Sequence, residues 1–287
     1  MISSDNGSGV YVSSSTINNF TNKGTIKTSG TAEPNQLFAA LYASNGVNLR
    51  SAIINTFENS SSISGKVGVN LSASSIENFK NTGTIEGTSS ANSLAAAINI
   101  QSFYSSGSTI NNFTNEGTIR SSSNGIFIGD GSAIKTLTNS GTIEASLDGI
   151  TFYGFHTNKK PVDIGKITIE SGGVIKAGNN GINIDGSEWG ITGEGIDVKG
   201  RLEGGNAGIY IGAGKQVNTS ITVSGTIQGD NGGIINTGTI GQKDAQQQQH
   251  GITIENGGTI TSKNGSGILN TDNGIIYGNI VNSSNND

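Results

Sequence analysis

The sequence INNFTNKGTI at Ile17–Ile26 recurs in related forms along the whole chain. If its last isoleucine is taken as an anchor, equivalent aliphatic residues follow at intervals of 20 to 37 residues. The predicted anchors are Ile26, Ile63, Ile85, Ile119, Ile143, Ile175, Leu202, Ile227, Ile260 and Ile280. Repeats of this length are typical of solenoid proteins, in which each repeat stacks on its neighbours.

Two further positions recur at fixed distances before the anchors. Six residues earlier stand the large apolar residues Phe20, Phe57, Phe79, Phe113, Leu137, Ile169, Ile196, Ile221 and Ile254. Four residues earlier stand Asn22, Asn59, Asn81, Asn115 and Asn139, and asparagine returns at Asn256 after three turns without it. Asparagine tolerates the left-handed backbone conformation, so this position predicts a tight corner.

A third apolar position completes each turn of the repeat. Its predicted members are Val10, Tyr42, Val69, Ile98, Ile126, Ile150, Ile182, Ile209, Ile234 and Ile268. Around all three positions apolar and small polar residues alternate, which indicates short strands with one buried face. The sequence therefore predicts an all-β fold, a right-handed parallel β-helix of about ten three-strand rungs.

The repeats leave no visible domain boundary, so residues 1–287 are expected to form a single β-helix segment. Rungs of the Ile-x-x-Phe-x-Asn type occupy 10–143, and rungs of the Ile-Thr-Ile/Val type occupy 160–281. Unprotected ends of a solenoid invite stacking with other chains. The sequence is therefore expected to be a piece of a longer protein.

Composition narrows the possible partners. The chain has 45 glycines and only 32% hydrophobic residues, a balance common in disordered proteins, but the periodic placement of the apolar residues favours a folded rod. A net charge of −5 disfavours nucleic acid and anionic lipid as partners. No stretch of 18 apolar residues occurs, so direct membrane insertion by this segment is not expected.

The residue after each anchor is expected to point outward. These residues are Lys27, Ser64, Glu86, Arg120, Glu144, Lys176, Glu203 and Gln228. Charges alternate in sign over five consecutive rungs, and exposed neighbours of opposite charge contribute about 0.2 to 1 kcal/mol each. The acidic members of this set thus have a structural explanation.

The connection that follows the third position varies far more in length than the others. Loops on a rigid scaffold are where solenoids usually place recognition, and aromatic side chains suit sugars or protein partners. The predicted partner-binding strip on this edge comprises Phe103, Tyr104, Tyr153, Phe155, His156, Lys159, Lys160 and Trp189. The alternative is that these aromatic residues fold back and cover the rod.

Residues for catalysis are scarce. The two histidines, His156 and His250, are far apart, and no nucleophile elbow, phosphate loop or zinc spacing occurs. We therefore predict no catalytic, cofactor or metal site, and a protein that is not an enzyme. The alternative is a glycan-cleaving β-helix, for which paired carboxylates are needed. The densest acidic patch is Asp185, Glu188, Glu194, Asp197 and Glu203.

The segments TINNFTNKGTI at 16–26, SIENFKNTGTI at 75–85 and TINNFTNEGTI at 109–119 resemble repeats of bacterial autotransporter passengers. They are most similar to vacuolating-cytotoxin-like proteins of Helicobacter and Campylobacter relatives. The resemblance covers 10–143 well and the remainder only as a generic β-helix. The channel-forming N-terminal segment of that family has no match here, so toxin activity is not implied.

The resemblance implies a virulence-associated protein that is exported through the outer membrane and is secreted or displayed on the cell surface. Its expected function is that of an adhesin or colonisation scaffold with a host-cell glycan or protein as partner. A further alternative is a self-associating rod that pairs along faces rich in asparagine and threonine.

Overall fold

The protein forms a stack of parallel strands. A computed structural model describes residues 1–30, 44–90, 95–102, 106–129, 131–153, 162–185, 194–243 and 251–284. Within these ranges the strands form three parallel sheets of ten strands each and a fourth sheet of three. Each strand pairs with the equivalent strands of the rungs before and after it, so the predicted parallel β-helix of about ten rungs is confirmed.

Sheet A carries the anchor residues, sheet B the third apolar position and sheet C the phenylalanine position. Sheet A consists of β1 (Ile2–Ser4), β4 (Thr25–Thr28), β7 (Ser62–Gly65), β10 (Thr84–Gly87), β13 (Thr118–Ser121), β16 (Thr142–Ala145), β19 (Val174–Ala177), β22 (Arg201–Gly204), β26 (Thr226–Gly229) and β30 (Thr259–Ser262). Sheet B consists of β2 (Val10–Ser13), β5 (Val47–Arg50), β8 (Val69–Ser72), β11 (Ala96–Gln101), β14 (Asn124–Gly129), β17 (Ile150–Tyr153), β20 (Asn180–Ile184), β23 (Ala207–Ile211), β27 (Gly232–Asn236) and β31 (Ser266–Asn270). Sheet C consists of β3 (Thr16–Asn22), β6 (Ile53–Asn59), β9 (Ser75–Asn81), β12 (Thr109–Asn115), β15 (Ala133–Asn139), β18 (Asp163–Ile169), β21 (Gly195–Val198), β25 (Ser220–Val223), β29 (Gly251–Ile254) and β33 (Asn279–Asn282). Sheet D consists of β24 (Gln216–Val217), β28 (Thr239–Ile240) and β32 (Ile275–Ile276).

The anchor residues from Ile26 to Ile260 lie one above another in sheet A, as predicted. The prediction for Ile280 is wrong, because this residue pairs with Ile252 in sheet C. The column of stacked anchor residues in sheet A instead begins at Ile2, which pairs with Ile26. Sheet D explains the error: in the last rungs an additional strand lies between sheets B and C, so the chain reaches sheet C later than the sequence spacing suggests.

The assignment of Tyr42 to the third position is also wrong. Val10 pairs with Val47, and Val47 pairs with Val69, so Val47 occupies this position. Tyr42 itself lies outside the described residues. The sequence Gly46-Val47-Asn48-Leu49 carries the same Gly-Val-x-Leu pattern as the other rungs, and the insertion that precedes it displaced the sequence-based register.

Two residues assigned to the phenylalanine position belong elsewhere in sheet C. Leu137 pairs with Ile167 rather than with Ile169, and Ile221 pairs with Ile252 rather than with Ile254. The turns that follow these strands are two residues longer than in the other rungs, so counting six residues back from the anchor gives the wrong residue. Asn256 lies in one of these turns and does not join the asparagine position.

The phenylalanine position forms a ring stack inside the rod. Phe20, Phe57, Phe79 and Phe113 have successive ring centroids 4.6, 4.7 and 4.7 Å apart, with interplanar angles of 8° or less. The last three are buried, and Leu137 continues the file. Parallel strands repeat at about 4.8 Å, so the ring spacing follows directly from the strand spacing.

A ladder of buried asparagines runs beside the phenylalanines. The side-chain Nδ2 of each of the first four members donates to the Oδ1 of the asparagine in the next rung, at 2.7 to 2.8 Å. The members are Asn22, Asn59, Asn81, Asn115 and Asn139. Beyond Asn139 the same position holds Ile169, Val198 and Val223, so the later rungs replace the amide ladder by aliphatic packing.

In most strands of sheet B a glycine directly precedes the first inward-facing residue, and the backbone of the next rung approaches it closely; in β11 this position is held by Ala97. A Cβ built on Gly149 would lie 2.4 Å from Ile175 Cγ2 and 2.5 Å from the carbonyl oxygen of Gly181. We expect Gly149→Ala to lower the free energy of unfolding by about 1 to 3 kcal/mol, measured by urea denaturation. At the matched control Gly172, the nearest atom to a Cβ is Ser140 O at 3.6 Å. Equal destabilisation by Gly172→Ala would contradict the crowding argument.

Candidate functional site

Of the eight residues predicted to bind a partner, the structure describes Tyr153. The other members, Phe103, Tyr104, Phe155, His156, Lys159, Lys160 and Trp189, lie outside the described residues. Tyr153 ends β17 with 41% of its surface exposed. Its ring centroid is 6.3 Å from that of Phe127 in the preceding rung, at an interplanar angle of 38°. Tyr153 therefore contacts the rod while keeping one side of its ring in solvent.

The outer face of sheet B is covered in its middle rungs. Asn70, Asn99 and Phe127 point away from the apolar interior, yet each is at most 2% exposed. Asn70 donates through Nδ2 to Asn48 Oδ1 at 2.9 Å, which continues amide pairing on the outside of the rod. In the first rung the equivalent residue, Tyr11, is 55% exposed. The middle of this face is therefore not open to a large partner.

Connections between sheets B and C differ sharply along the rod. In the first three rungs they are two residues long, and each contains a residue with left-handed backbone: Ser14 (φ 49°), Ser51 (φ 50°) and Ala73 (φ 50°). Between β17 and β18 nine residues intervene, and between β20 and β21 ten. The longest connection between the described strands, residues 29–46, joins β4 of sheet A to β5 of sheet B, so long connections are not confined to one edge as the sequence predicted, but they recur between sheets B and C. We call this side of the rod, between sheets B and C, the B–C edge.

The outer face of sheet A carries the predicted ladder of charges. The strand pairing places Glu86, Arg120, Glu144 and Lys176 at the same position of consecutive strands. Arg120 donates through Nε to Glu86 Oε1 at 2.9 Å. Unlike sheet B, this face is open, because Arg120, Glu144 and Lys176 are exposed. We call this surface the sheet A ladder.

A shallow groove runs beside the sheet A ladder, and the sequence did not predict it. Its floor is made of small residues one position after the charges, including Gly87, Ser121, Ala145 and Ala177. Small side chains at that position expose the stems of the neighbouring charged residues. The run of Gly, Ser and Ala directly after the ladder is the signal that could have revealed the groove.

The acidic patch suggested by the sequence is divided between faces of the rod. Asp197 lies in sheet C, where Lys199 Nζ is 3.7 Å from Asp197 Oδ2 and 3.3 Å from Glu170 Oε2. Hydrogen bonding to Glu170 and the charge of Asp197 raise the pKa of Lys199. Glu203 lies in sheet A and pairs with Arg201. Asp197 and Glu203 are therefore committed to separate ion pairs on different sheets.

Asp185 and Glu194 stand at the two ends of the connection between β20 and β21. Asp185 follows the end of β20 in sheet B, and the carbonyl of Glu194 accepts a hydrogen bond from Thr219 Oγ1. Glu188 lies outside the described residues. In the part of the chain that the structure describes, no group of three or more His, Asp or Glu side chains could hold a metal ion.

Comparison with known proteins adds no relative. No family model, curated protein or solved structure matches the chain. Over the described ranges, no helix is long and apolar enough to span a bilayer. The functional interpretation therefore depends on the surfaces of the rod itself.

Three polar surfaces of the rod are accessible from solvent. The sheet A ladder offers alternating charges at the spacing of the strands, and sheet C offers exposed amide pairs such as Asn55 Nδ2 to Asn18 Oδ1 at 3.3 Å. The B–C edge adds connections whose lengths vary without disturbing the core. Such features suit binding of an extended polar partner.

Proposed function

We propose that the chain is a non-enzymatic passenger segment of a bacterial surface protein, which acts as an adhesin or colonisation scaffold. The observation that carries this proposal is the contrast between a core in register over ten rungs and connections at the B–C edge that grow from two to ten residues. A fold alone does not define a function. The uneven edge supports this one because its connections differ in length while the strands they join keep their register.

The rigid core suits the task of holding loops at fixed separations. Each rung is joined to its neighbours by backbone hydrogen bonds, and the rungs from Asn22 to Asn139 also by the asparagine ladder, so the strands that carry the connections are held at fixed separations along the rod. A partner that contacts several loops then binds with little further loss of conformational freedom. The partner we propose is a glycan or protein of a host-cell surface.

The resemblance of residues 16–26, 75–85 and 109–119 to autotransporter repeats gives the proposal its cellular setting. In that setting the chain is exported through the outer membrane and acts at the cell surface or after release. The absence of cysteine is compatible with passage through a narrow pore in an unfolded state.

A loop exchange tests the proposal. We expect that replacing residues 154–161 by a two-residue turn, like the one at Ser14, abolishes binding to epithelial cells or to an array of glycans and matrix proteins. The reason is that the rod remains while the presented segment is removed. The measurements are cell adhesion and array binding, with circular dichroism to confirm the β-helix.

The matched control shortens residues 31–43, which connect sheets A and B instead. Binding should survive this change if recognition lies on the B–C edge. The proposal fails if the intact chain binds none of these targets, or if the 154–161 exchange leaves binding unchanged.

A further inference from the structure

The residues that point outward from sheet A form a file whose charges have opposite signs on the two sides of its centre. From the first strand to the last it reads Ser3, Lys27, Ser64, Glu86, Arg120, Glu144, Lys176, Glu203, Gln228 and Thr261. The midpoint of the ten strands falls between Arg120 and Glu144. When the file is reversed about this midpoint, every charged position meets an opposite charge or a neutral residue.

We propose that two copies of the chain dock through their sheet A ladders with the rods antiparallel. A two-fold axis along the strand direction then passes between Arg120 and Glu144. It places Arg120 against Glu144 of the second copy and Glu86 against Lys176 of the second copy, and the symmetry repeats both pairs. An interface in which the same patch is used by both copies is the commonest arrangement of homo-oligomers. This inference does not depend on the adhesin proposal.

The charge pattern excludes the other orientation. If the rods were parallel, each residue of the file would face its own copy, which would place Glu86 against Glu86 and Arg120 against Arg120. Antiparallel rods displaced by one rung would face Glu86 with Glu144 and would again oppose like charges. Like charges brought together at an interface cost several kcal/mol, so the centred antiparallel register is favoured.

The neighbouring outward file does not obstruct this docking. Its central members are Thr84, Thr118, Thr142 and Val174, all uncharged and partly exposed. The next member, the exposed Arg201, would face the uncharged Ser62 of the second copy in the centred register. The small residues on the floor of the groove allow the long side chains of Arg120 and Lys176 to lie flat when the faces meet. Charge and shape therefore permit close approach over the same strands.

The available area predicts a weak, salt-sensitive dimer. A sheet of ten strands, each of about four residues, presents roughly 600 Å² per copy, or about 1,200 Å² in total. This total is at the lower end of specific interfaces. Exposed ion pairs are screened by salt, so added salt should weaken the association.

Reciprocal charge reversal tests the proposal. By sedimentation equilibrium at low salt, we expect the wild-type chain to dimerise, and Arg120→Glu and Glu144→Arg each to raise the dissociation constant about tenfold or more, because each brings like charges together twice. A one-to-one mixture of the two variants should associate again, since every facing pair in the mixed dimer is opposite in charge. The double variant Arg120→Glu/Glu144→Arg should likewise dimerise.

The control is Lys80→Glu, which breaks the 2.8 Å ion pair with Glu116 away from sheet A. It should leave the dissociation constant unchanged, and circular dichroism should show that all variants keep the β-helix. A wild-type chain that stays monomeric at all accessible concentrations would overturn the proposal. So would single reversals without effect, or a mixture that does not recover association.

Discussion

Replacing Phe79 by alanine is expected to lower the free energy of unfolding by about 3 to 5 kcal/mol. Its ring lies between those of Phe57 and Phe113, at centroid distances of 4.7 Å on both sides. The alanine leaves a cavity that the strands cannot close, because their spacing is fixed by backbone hydrogen bonds. The measurement is urea denaturation followed by circular dichroism, with the midpoint and slope compared with wild type.

Two further variants define the origin of this loss. Phe20→Ala should cost less, because Phe20 is only partly buried and has a stacked ring on one side. Phe79→Leu should cost about 1 kcal/mol, since Leu137 already serves in the same file. If Phe79→Ala were no more destabilising than Phe20→Ala, the stack would not be a principal source of stability.

The second large effect is expected at the asparagine ladder. Asn81→Val should lower the free energy of unfolding by about 2 to 4 kcal/mol, because buried partners lose hydrogen bonds that water cannot replace. Asn81 accepts from Asn59 Nδ2 at 2.8 Å and donates to Asn115 Oδ1 at 2.8 Å. It also donates to the carbonyl of Thr118 at 3.3 Å. Urea denaturation again provides the measurement.

Position along the ladder supplies the control. Asn139→Val should cost less than Asn81→Val, because Asn139 has an asparagine on one side and Ile169 on the other. Exposed Asn55→Ala should change stability by less than about 0.5 kcal/mol. The double variant Asn81→Val/Asn115→Val should cost less than the sum of its single variants, since their shared hydrogen bond is lost once. Strict additivity would contradict the ladder.

The parts of the fold that the sequence predicted share a physical cause. All of them flank the same short corner, in which Asn22 and Gly24 have equivalents at Asn81 and Gly83. The phenylalanines of the first four rungs come before this corner, and the anchors and the charge ladder come after it. Where a corner keeps its length, alternation of period two fixes which residues point inward. The residues that pair in neighbouring rungs can then be found by counting a fixed number of residues from the corner.

The errors in sheet C arose where the corner changes length. After Ile169 and after Ile254 the chain makes a wider turn, closed by Gly173 N to Glu170 O at 2.7 Å and by Gly258 N to Glu255 O at 2.9 Å. Residues two positions apart in a strand face the same side, so an apolar residue stood at both the expected and the true position. Sequence alone could not choose between Ile167 and Ile169.

The functional surfaces were predictable to different degrees. The charges of the sheet A ladder were found because they follow the anchors directly, whereas the groove beside them is marked only by the small residues that come next, such as Gly87 and Ala145. For the aromatic strip, Tyr153 is placed on the rod surface, and its remaining members stay a prediction. The insertion before Val47 and the strands of sheet D explain why Tyr42 and Ile280 were misplaced.

The wider turns at Gly173 and Gly258 show how this architecture can change length. Each adds two residues, which leaves every later side chain on the same side of the wall. A single added residue inside a strand would instead exchange interior and exterior for the rest of that strand. Insertions within a rung should therefore come as pairs of residues. Two added residues lengthen the perimeter of the rung, while the same side chains continue to face the interior.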